Sequence, residues 1–335
     1  MARGRMKRGG LPRLGAVLCA VGMLVFCAVA TVKDASAQSE RPLSIVLGFP
    51  AGSGVDSLTR MIAEKLRVSL GRTVVVENKP GASGRLSVEY VKGQPADGTT
   101  MLIAPMSLMT IFPHTYKSLR YDPVKDFEPV THIGAFSLAF AVPSQTPAKT
   151  MREYIELVRK DPAAGTYGST GVGTPSHFFI AMFEKSAGIQ LQHVPHKGSA
   201  EVVNNLLGGH IGAGILTVAD IAPQHAAGKF RALATSGAQR EPSLPDVPTF
   251  KELGYDIEGS FWYGAYVPAG TPKDVVAKLN TALSEAVRSP EIQAWATKAG
   301  LNMTGTGPET LAAAQKQDFE RWGPVIKATG FVAEN

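Results

Sequence analysis

Short apolar runs and longer amphipathic stretches alternate along this chain. Leu43–Leu47 is an apolar-rich run typical of a short buried strand. From Val55 to Leu70, apolar side chains recur at spacings of three and four, which predicts a helix with one apolar face that ends at Gly71. The same patterns predict strands at 73–76, 100–104, 165–168, 192–195, 211–216, 231–235 and 262–267, and helices near 86–92, 149–160, 175–186, 219–227, 274–288 and 308–327. This alternation predicts an α/β protein with mostly parallel sheets that carry helices on both faces.

The alternation of strand and helix occurs twice, which predicts two α/β lobes. We expect residues 38–139 to form the first part of lobe I and residues 140–236 to form lobe II. Residues 237–335 would then return to lobe I and supply its C-terminal helices. On this interpretation the chain crosses between the lobes near 133–141 and again near 235–240.

The first forty residues have the layout of a secretory signal peptide. Several basic residues come first, and the apolar run Leu14–Val32 follows them. Ala35 and Ala37 are small residues at the two positions that a signal peptidase reads, so we expect residues 1–37 to be removed by cleavage after Ala37. The mature protein would then be periplasmic. A retained membrane anchor is the alternative, because a bilayer span needs about 20 apolar residues and this run is close to that length.

Removal of the export segment changes the charge and the cysteine count. The whole chain has 34 basic and 28 acidic residues and a formal charge of +6. The export segment holds six of the basic residues and one of the acidic ones, so the mature chain carries a charge of about +1. This balance gives no reason to expect a nucleic-acid partner. Both cysteines, Cys19 and Cys27, also leave with the segment, which excludes thiol chemistry and disulfides in the mature protein.

Two Gly/Ser-rich loops each join a predicted strand to a predicted helix. We name residues 48–56 loop 1 and residues 168–177 loop 2. In open α/β sheets, ligands bind beyond the carboxyl ends of the strands, where a helix start offers unpaired N–H groups and about half a positive charge. Neither loop contains Lys or Arg, and the hydroxyl donors are Ser53, Ser169, Thr170 and Thr174. One such loop in each lobe predicts a shared cleft that holds a small organic carboxylate.

Helix capping alone is an alternative explanation of each loop. Ser53 or Asp56 would cap the first helix, and Thr174 followed by Pro175 is a favourable pair for the start of the second. Asp56 would then complement the helix dipole, whereas an Asp56 that faced the cleft could accept a hydrogen bond from a ligand. His177 could either lean into the cleft or pack against the helix.

Enzyme functions are the other class of alternative. The segment Gly52–Ser57 nearly matches a dinucleotide-binding fingerprint, and Glu77 ends the next predicted strand, but the third glycine is replaced by Ser57. The serine-hydrolase motif fails at the last position of Gly81–Arg85. The seven histidines have no spacing typical of a metal site, so we expect no metal and no cofactor.

Seven segments of the mature chain resemble the Bug family of periplasmic solute receptors, which serve tripartite tricarboxylate transporters. These segments are Val46–Asp56, Val76–Ala82, Tyr121–Phe127, Tyr167–Gly171 with Gly173, Thr174 and His177, Val194–Gly198, Leu244–Thr249 and Pro268–Pro272. The resemblance covers essentially the whole mature chain. The resemblance implies a type II periplasmic-binding-protein fold that closes on its ligand, with no catalysis.

The resemblance also implies a set of binding residues and a set of partners. The positions expected to line the site are Phe49, Gly52, Ser53, Gly54, Asp56, Ser107, Ser169, Thr170, Gly173, Thr174 and His177. The implied ligand is a carboxylate, held partly through water. The implied partners are the membrane permease subunits of a tripartite tricarboxylate-type transporter, and we expect the receptor to be a monomer.

Departures from the family pattern leave the identity of the ligand open. Ala51 and Ser53 replace a proline and a glycine of the usual first loop, and His196 replaces a tyrosine. Gly212 and Leu216 stand where the family commonly has acidic residues. A larger or more apolar dicarboxylate, including an aromatic one, is therefore a hypothesis. A sensor for a membrane signalling partner and an exported NAD-dependent enzyme remain the alternatives to a transport receptor.

Overall fold

The computed structural model describes residues 1–2, 41–196 and 198–333. The expected signal peptide beyond residue 2 and its cleavage site after Ala37 lie outside these residues. Contacts divide the chain into two units, Met1–Pro42 and Leu43–Asn335, and all elements given below belong to the second unit.

Strands and helices alternate through most of the second unit, which confirms the expected α/β class. The strands are β1 (Leu43–Leu47), β2 (Val74–Asn78), β3 (Thr100–Pro105), β4 (Phe127–Pro143), β5 (Thr166–Ser169), β6 (Gln192–Pro195), β7 (Ala213–Thr217), β8 (Phe230–Thr235), β9 (Ser260–Pro268) and β10 (Leu301–Thr306). The α-helices are α1 (Gly54–Leu70), α2 (Arg85–Lys92), α3 (Phe112–Thr115), α4 (Met151–Lys160), α5 (Pro175–Ala187), α6 (Ser199–Leu207), α7 (Val218–Ala226), α8 (Lys273–Val287), α9 (Pro290–Lys298) and α10 (Pro308–Thr329). Short 3₁₀ turns cover Ala82–Gly84 and Pro162–Gly165, and a π-helix covers Ser107–Ile111.

One mixed sheet connects all the described strands in the order β2-β1-β3-β9-β4-β7-β5-β6, with β8 and β10 paired to β4. The long strand β4 pairs with β9 as far as Ser137 and with β7 and β8 from Leu138 onward. We call β1, β2, β3, β9, β10 and the first part of β4 the first half-sheet, and β5 to β8 with the last part of β4 the second. The lobe boundaries predicted at 139 and 236 stay a prediction.

The register of the strands determines where their carboxyl ends lie. Pro105 ends β3 opposite Tyr263 of β9, and Tyr263 lies opposite Gly134 of β4. Thr217 ends β7 opposite Leu138 of β4, and β5 runs parallel to β7. Because β3 runs parallel to β4 and β7 runs antiparallel to it, the carboxyl ends of the two half-sheets converge on the middle of β4 from opposite directions. The loops that follow these strands therefore open towards one another.

Apolar side chains cover both faces of the sheet. The helix α1 buries Val55, Leu58, Ile62 and Leu66 on one face of the first half-sheet, as its spacing predicts. The cluster that α1 joins also contains Leu279 and Leu283 of α8. The helix α5 packs Phe178, Phe179 and Phe183 into the cluster that covers the opposite face and continues into the second half-sheet.

Several elements differ from the sequence-based expectation. The strand β4 lies where only a crossing between lobes was expected, and β10, α6 and α9 were not predicted. Pro129 and Gly134 lie within β4, and its pairing with β9 shifts register beside both of them. The helix α6 buries only Val202 and Leu206, so its apolar face has few residues to reveal it. The strands β4 and β9 also pair antiparallel, so the sheet is mixed where a mostly parallel sheet was expected.

The end of β1 packs closely against the turn at Ala82–Gly84. A Cβ atom on Gly48 would lie 2.7 Å from the Cα of Gly84 and 2.9 Å from the Oγ of Ser87. By contrast, a Cβ atom on Gly54, the first residue of α1, would meet no atom within 4 Å.

Gly48→Ala should therefore destabilise the protein by about 1–3 kcal/mol, because the added methyl group overpacks a backbone contact. Gly54→Ala is the matched control in the same loop, and we expect its free energy of unfolding to change by less than about 0.5 kcal/mol. Urea denaturation measures both values. Equal destabilisation by the two variants would contradict this account of the contact.

Candidate functional site

Loop 1 is organised around the carboxylate of Asp56, which is buried with 2% of its surface exposed. Its Oδ2 accepts hydrogen bonds from the backbone N–H of Gly52 at 2.9 Å and from Nε of Arg60 at 3.0 Å. Its Oδ1 accepts from Nδ2 of Asn78 at 2.8 Å. The hydrogen bond from Arg60 is the largest of the effects that lower the pKa of Asp56 to about 2, so this carboxylate is ionised at neutral pH.

The same hydrogen bonds position the rest of loop 1. The Oγ of Ser53 accepts from the N–H of Asp56 at 3.3 Å and caps α1. The amide of Asn78 also donates to the backbone carbonyl of Phe49 at 3.0 Å, which ties the loop to the end of β2. Both oxygens of Asp56 are thus engaged within the protein, and Gly54, the first residue of α1, is exposed.

Loop 2 is built on a buried serine. The side chain of Ser169 is fully buried, and its Oγ lies 2.6 Å from Nε2 of His193 on β6. The N–H of Gly171 donates to the same Oγ at 3.3 Å. Gly171 and Gly173 have φ values of 129° and 75°, which favour glycine over any other residue. The Oγ of Thr174 then caps α5 by accepting from the N–H of His177 at 3.4 Å.

Three aromatic rings stack on one another at loop 2, and one of them belongs to His177 of the loop itself. The ring centroids of His177 and His193 are 4.5 Å apart at 14°, and those of His193 and Tyr167 are 4.8 Å apart at 17°. The Nδ1 of His177 accepts from the N–H of Gly173 at 3.1 Å. Burial lowers the pKa of His177, and burial is also the main cause that lowers the pKa of His193 to about 4. Both imidazoles are therefore neutral at pH 7.

The strand order places the predicted residues in two groups, one after β1 and β3 and one after β5, in the two sets of strands whose carboxyl ends converge on the middle of β4. Ser107 begins the π-helix that follows β3, beside loop 1 in the strand order. Thr170 is the exposed hydroxyl of loop 2, whereas Ser169 is fully buried. The capping explanation also applies, since Ser53 and Thr174 are the observed N-caps. The assignment of the eleven residues to a ligand stays a prediction.

Sequence reasoning left Tyr263 open between the core and the pocket wall, and it missed other residues near the loops. The ring centroid of Tyr263 lies 6.4 Å from that of Phe49 and 5.4 Å from that of Phe136. Burial and, second, the charge of Asp220 on α7 raise the pKa of Tyr263 to about 12. The apolar strand around Tyr263 only weakly indicated a residue of the pocket wall. Nothing in the sequence indicated Phe136, because the position of Phe136 depends on the register of β4. Asn78 and His193 were likewise not predicted to support the loops.

A cavity of about 520 Å³ that Phe136 helps to line lies beside the middle of β4. Its lining includes Ala135–Ser137, the segment 237–243 and residues 300–303, and no residue of loop 1 or loop 2. Within the described residues, no group of three or more His, Cys, Asp or Glu side chains is placed to hold a metal ion. No helix in the described part of the chain is both long and apolar enough to cross a membrane.

Comparison with known proteins identifies the family to which the chain belongs. The family model for the tripartite tricarboxylate transporter family receptor, TctC, matches residues 58–331, so the chain belongs to this family. A protein of Cupriavidus necator, described as the UPF0065 protein in the gbd 5' region, is 35% identical over 287 residues, which are 85% of this chain and 86% of the relative.

Solved structures agree with this assignment. The periplasmic binding protein BugD is 32% identical, covers 88% of this chain and 99% of its own, and gives a TM-score of 0.76. A protein of R. palustris solved with adipate is 29% identical, covers 87% of this chain and 98% of its own, and gives a TM-score of 0.78. The expected resemblance to Bug receptors and the expected periplasmic-binding-protein fold are confirmed. The binding proteins of this family are periplasmic.

Asp56→Ala should lower the free energy of unfolding by about 2–3 kcal/mol, because it removes the acceptor of the Gly52 and Asn78 donors in a buried site. Asp56→Asn keeps one acceptor oxygen and should cost less. Asp246→Ala is the matched control, since Asp246 is exposed. Chemical denaturation of the three variants checks this order of their free energies of unfolding. An Asp56→Ala variant as stable as the control would show that the network does not hold loop 1.

The lowered pKa of His193 predicts a loss of stability in mild acid. The folded protein holds this imidazole neutral down to about pH 4, whereas the unfolded chain protonates it near 6.5. Its stabilising contribution is therefore complete above pH 6.5 and declines as the pH falls towards 4.

Melting temperatures measured between pH 7.5 and 4 should fall less steeply for His193→Gln than for the wild-type protein. His210→Gln, at an exposed position, serves as the control and should keep the wild-type slope. An unchanged slope in His193→Gln would contradict the assigned role of His193.

Proposed function

We propose that this protein is an extracytoplasmic solute receptor that captures a small organic dicarboxylate between loop 1 and loop 2. The observation that carries the proposal is that the capped helices α1 and α5 follow β1 and β5, which belong to the two sets of parallel strands whose carboxyl ends converge on the middle of β4. Each helix start offers N–H groups and about half a positive charge. Two facing helix starts match the two ends of a dicarboxylate.

The support for a dicarboxylate comes from charge and from a relative. Loop 1 and loop 2 contain no Lys or Arg, so the ligand's charge would be met by backbone dipoles, by the hydroxyl of Thr170 and by ordered water. The R. palustris protein was solved with adipate, which is a dicarboxylate. The residues proposed to contact the ligand are those predicted from the sequence, except Asp56 and Ser169. These two are buried, and we propose that they support the loops from within.

A serine-hydrolase function fits the site poorly, although the Oγ of Ser169 lies 2.6 Å from Nε2 of His193. Nucleophilic catalysis requires a hydroxyl that a substrate can reach, and Ser169 is fully buried. The pKa of His193, lowered to about 4, also makes it a weak base at neutral pH. We therefore propose that the protein binds its ligand and does not transform it.

The proposal extends to the context in which the receptor works. The mature protein would be a monomer in the periplasm, released by cleavage after Ala37, and would deliver its ligand to the membrane subunits of a tripartite tricarboxylate-type transporter. Uptake of the identified ligand should be lost in cells that lack the gene and restored by its return. Retained uptake together with a lost transcriptional response would instead indicate a sensor.

Calorimetric titration with adipate and other dicarboxylates tests the binding function. A true ligand at about 100 times its dissociation constant should also stabilise the fold by about 2.7 kcal/mol, which a rise in melting temperature would report. If no dicarboxylate produces heat or a thermal shift, the proposed function is wrong.

Gly54→Asp tests the proposed binding site itself. The residue is exposed at the start of α1 and a Cβ atom there meets nothing within 4 Å, so an aspartate should be tolerated and should even suit the helix dipole. Its charge would, however, repel a ligand carboxylate, and we expect affinity to fall by at least about tenfold, or 1.4 kcal/mol.

Lys273→Asp is the control for this variant. It places a new aspartate at the start of α8, which follows β9. The carboxyl end of β9 lies opposite Phe127, the first residue of β4, which is at the end of the strands remote from both loops. The control should keep wild-type affinity, although its change of charge is larger. Equal losses in the two variants would contradict a site at loop 1.

A further inference from the structure

Three aromatic rings form a surface between the two helix starts. Tyr263 lies at the carboxyl edge of the first half-sheet, opposite Pro105 and Gly134. Phe49 of loop 1 and Phe136 of β4 pack on either side of it, with centroid distances of 6.4 and 5.4 Å. We call Phe49, Phe136 and Tyr263 the aromatic platform.

The platform is partly open to solvent. Each of its three residues is half-buried, whereas the neighbouring Phe261 and Trp262 of β9 are almost fully buried. In the strand order β1-β3-β9-β4-β7-β5, the platform strands β9 and β4 lie midway between the strand that precedes loop 1 and the strand that precedes loop 2. The platform is therefore the surface that the middle of a bound ligand would meet.

The platform is also held in a fixed arrangement. The backbone carbonyl of Phe49 accepts a hydrogen bond from Asn78, and Asn78 is itself bonded to the buried Asp56. Phe136 packs with its ring 5.8 Å from Phe261, and Tyr263 belongs to the same strand as Phe261. Rings held in place favour a rigid partner, because little conformational entropy is lost when two preorganised surfaces meet.

We propose that the ligand is an aromatic dicarboxylate, whose ring packs on Phe49, Phe136 and Tyr263 while its carboxylates meet the starts of α1 and α5. The inference rests on the proposed function and deepens it by naming the chemical class of the ligand. Aromatic rings attract one another in offset or edge-to-face arrangements beyond the effect of buried area, and an aliphatic spacer of the same size forgoes this attraction. The carboxylates supply the charge, and the ring supplies the selectivity.

The test compares three diacids by calorimetric titration of the intact mature protein. Benzene-1,4-dicarboxylate and trans-cyclohexane-1,4-dicarboxylate have the same charge and nearly the same length, and they differ in the aromaticity of the ring. Adipate is the flexible acyclic reference. We expect the aromatic diacid to bind about tenfold more tightly than the cyclohexane diacid, which is the upper range of one aromatic contact. Equal affinity, or a preference for the cyclohexane diacid, would overturn the inference.

Variants of the platform locate the source of the preference. Phe136→Leu and Phe49→Leu should each reduce the ratio of the two affinities to about threefold or less, with a smaller change in the affinity for adipate. Phe319→Leu is the control, because Phe319 is a partly exposed aromatic residue of α10 outside the platform. If both platform variants keep the wild-type ratio, the assignment of these rings to the ligand is wrong.

The outcomes also separate this inference from the proposed function. Binding of adipate without binding of the aromatic diacid would leave the proposed function standing and would refute the aromatic class. Failure of all three diacids to bind would overturn both. The comparison of ligands on the wild-type protein needs no variant, so a platform variant that fails to fold does not remove the test.

Discussion

The shared strand β4 is the constraint on which the rest of the structure depends. It runs through both half-sheets, pairing with β9 on one side of Ser137 and with β7 and β8 on the other. All of its direct partners run antiparallel to it, but β3, on the far side of β9, runs parallel to it. The carboxyl ends of two separate sets of parallel strands therefore meet at its middle. The α/β rule that ligands bind beyond the carboxyl ends of strands then predicts a single site instead of two. Both loops and the aromatic platform owe their proximity to this register.

The loops are stiffened from within, and this determines which groups remain for a ligand. Asp56 and Ser169 are polar residues at the two loops, and both are buried and hydrogen-bonded to their own loops. The neutral imidazole of His177 accepts from the N–H of Gly173 in loop 2, and the carboxylate of Asp56, paired with Arg60, accepts from the N–H of Gly52 in loop 1. A site of this kind binds through preorganised dipoles, so it loses little entropy when the ligand enters.

The sequence predicted the elements whose pattern is local and missed those that depend on pairing. The amphipathic spacing from Val55 to Leu70 and the pair Thr174–Pro175 predicted α1 and the start of α5, and both are present. The strand β4 was missed because register shifts interrupt it. The roles of Asn78 and Phe136 were missed for a related reason, since their contacts come from strands distant in the chain. Capping and ligand binding are compatible explanations of the two loops, because the caps of α1 and α5 lie at the loops proposed to bind the ligand.

The central claim is that one ligand meets both helix starts at once. Amide chemical shifts in a ¹⁵N-labelled protein report on this directly during titration with a dicarboxylate. The account predicts that the N–H resonances of Gly54 and Val55 in α1 and of Ser176 and His177 in α5 shift together with the same dissociation constant. Shifts confined to one helix start, or confined to residues 237–243 of the cavity beside β4, would contradict it.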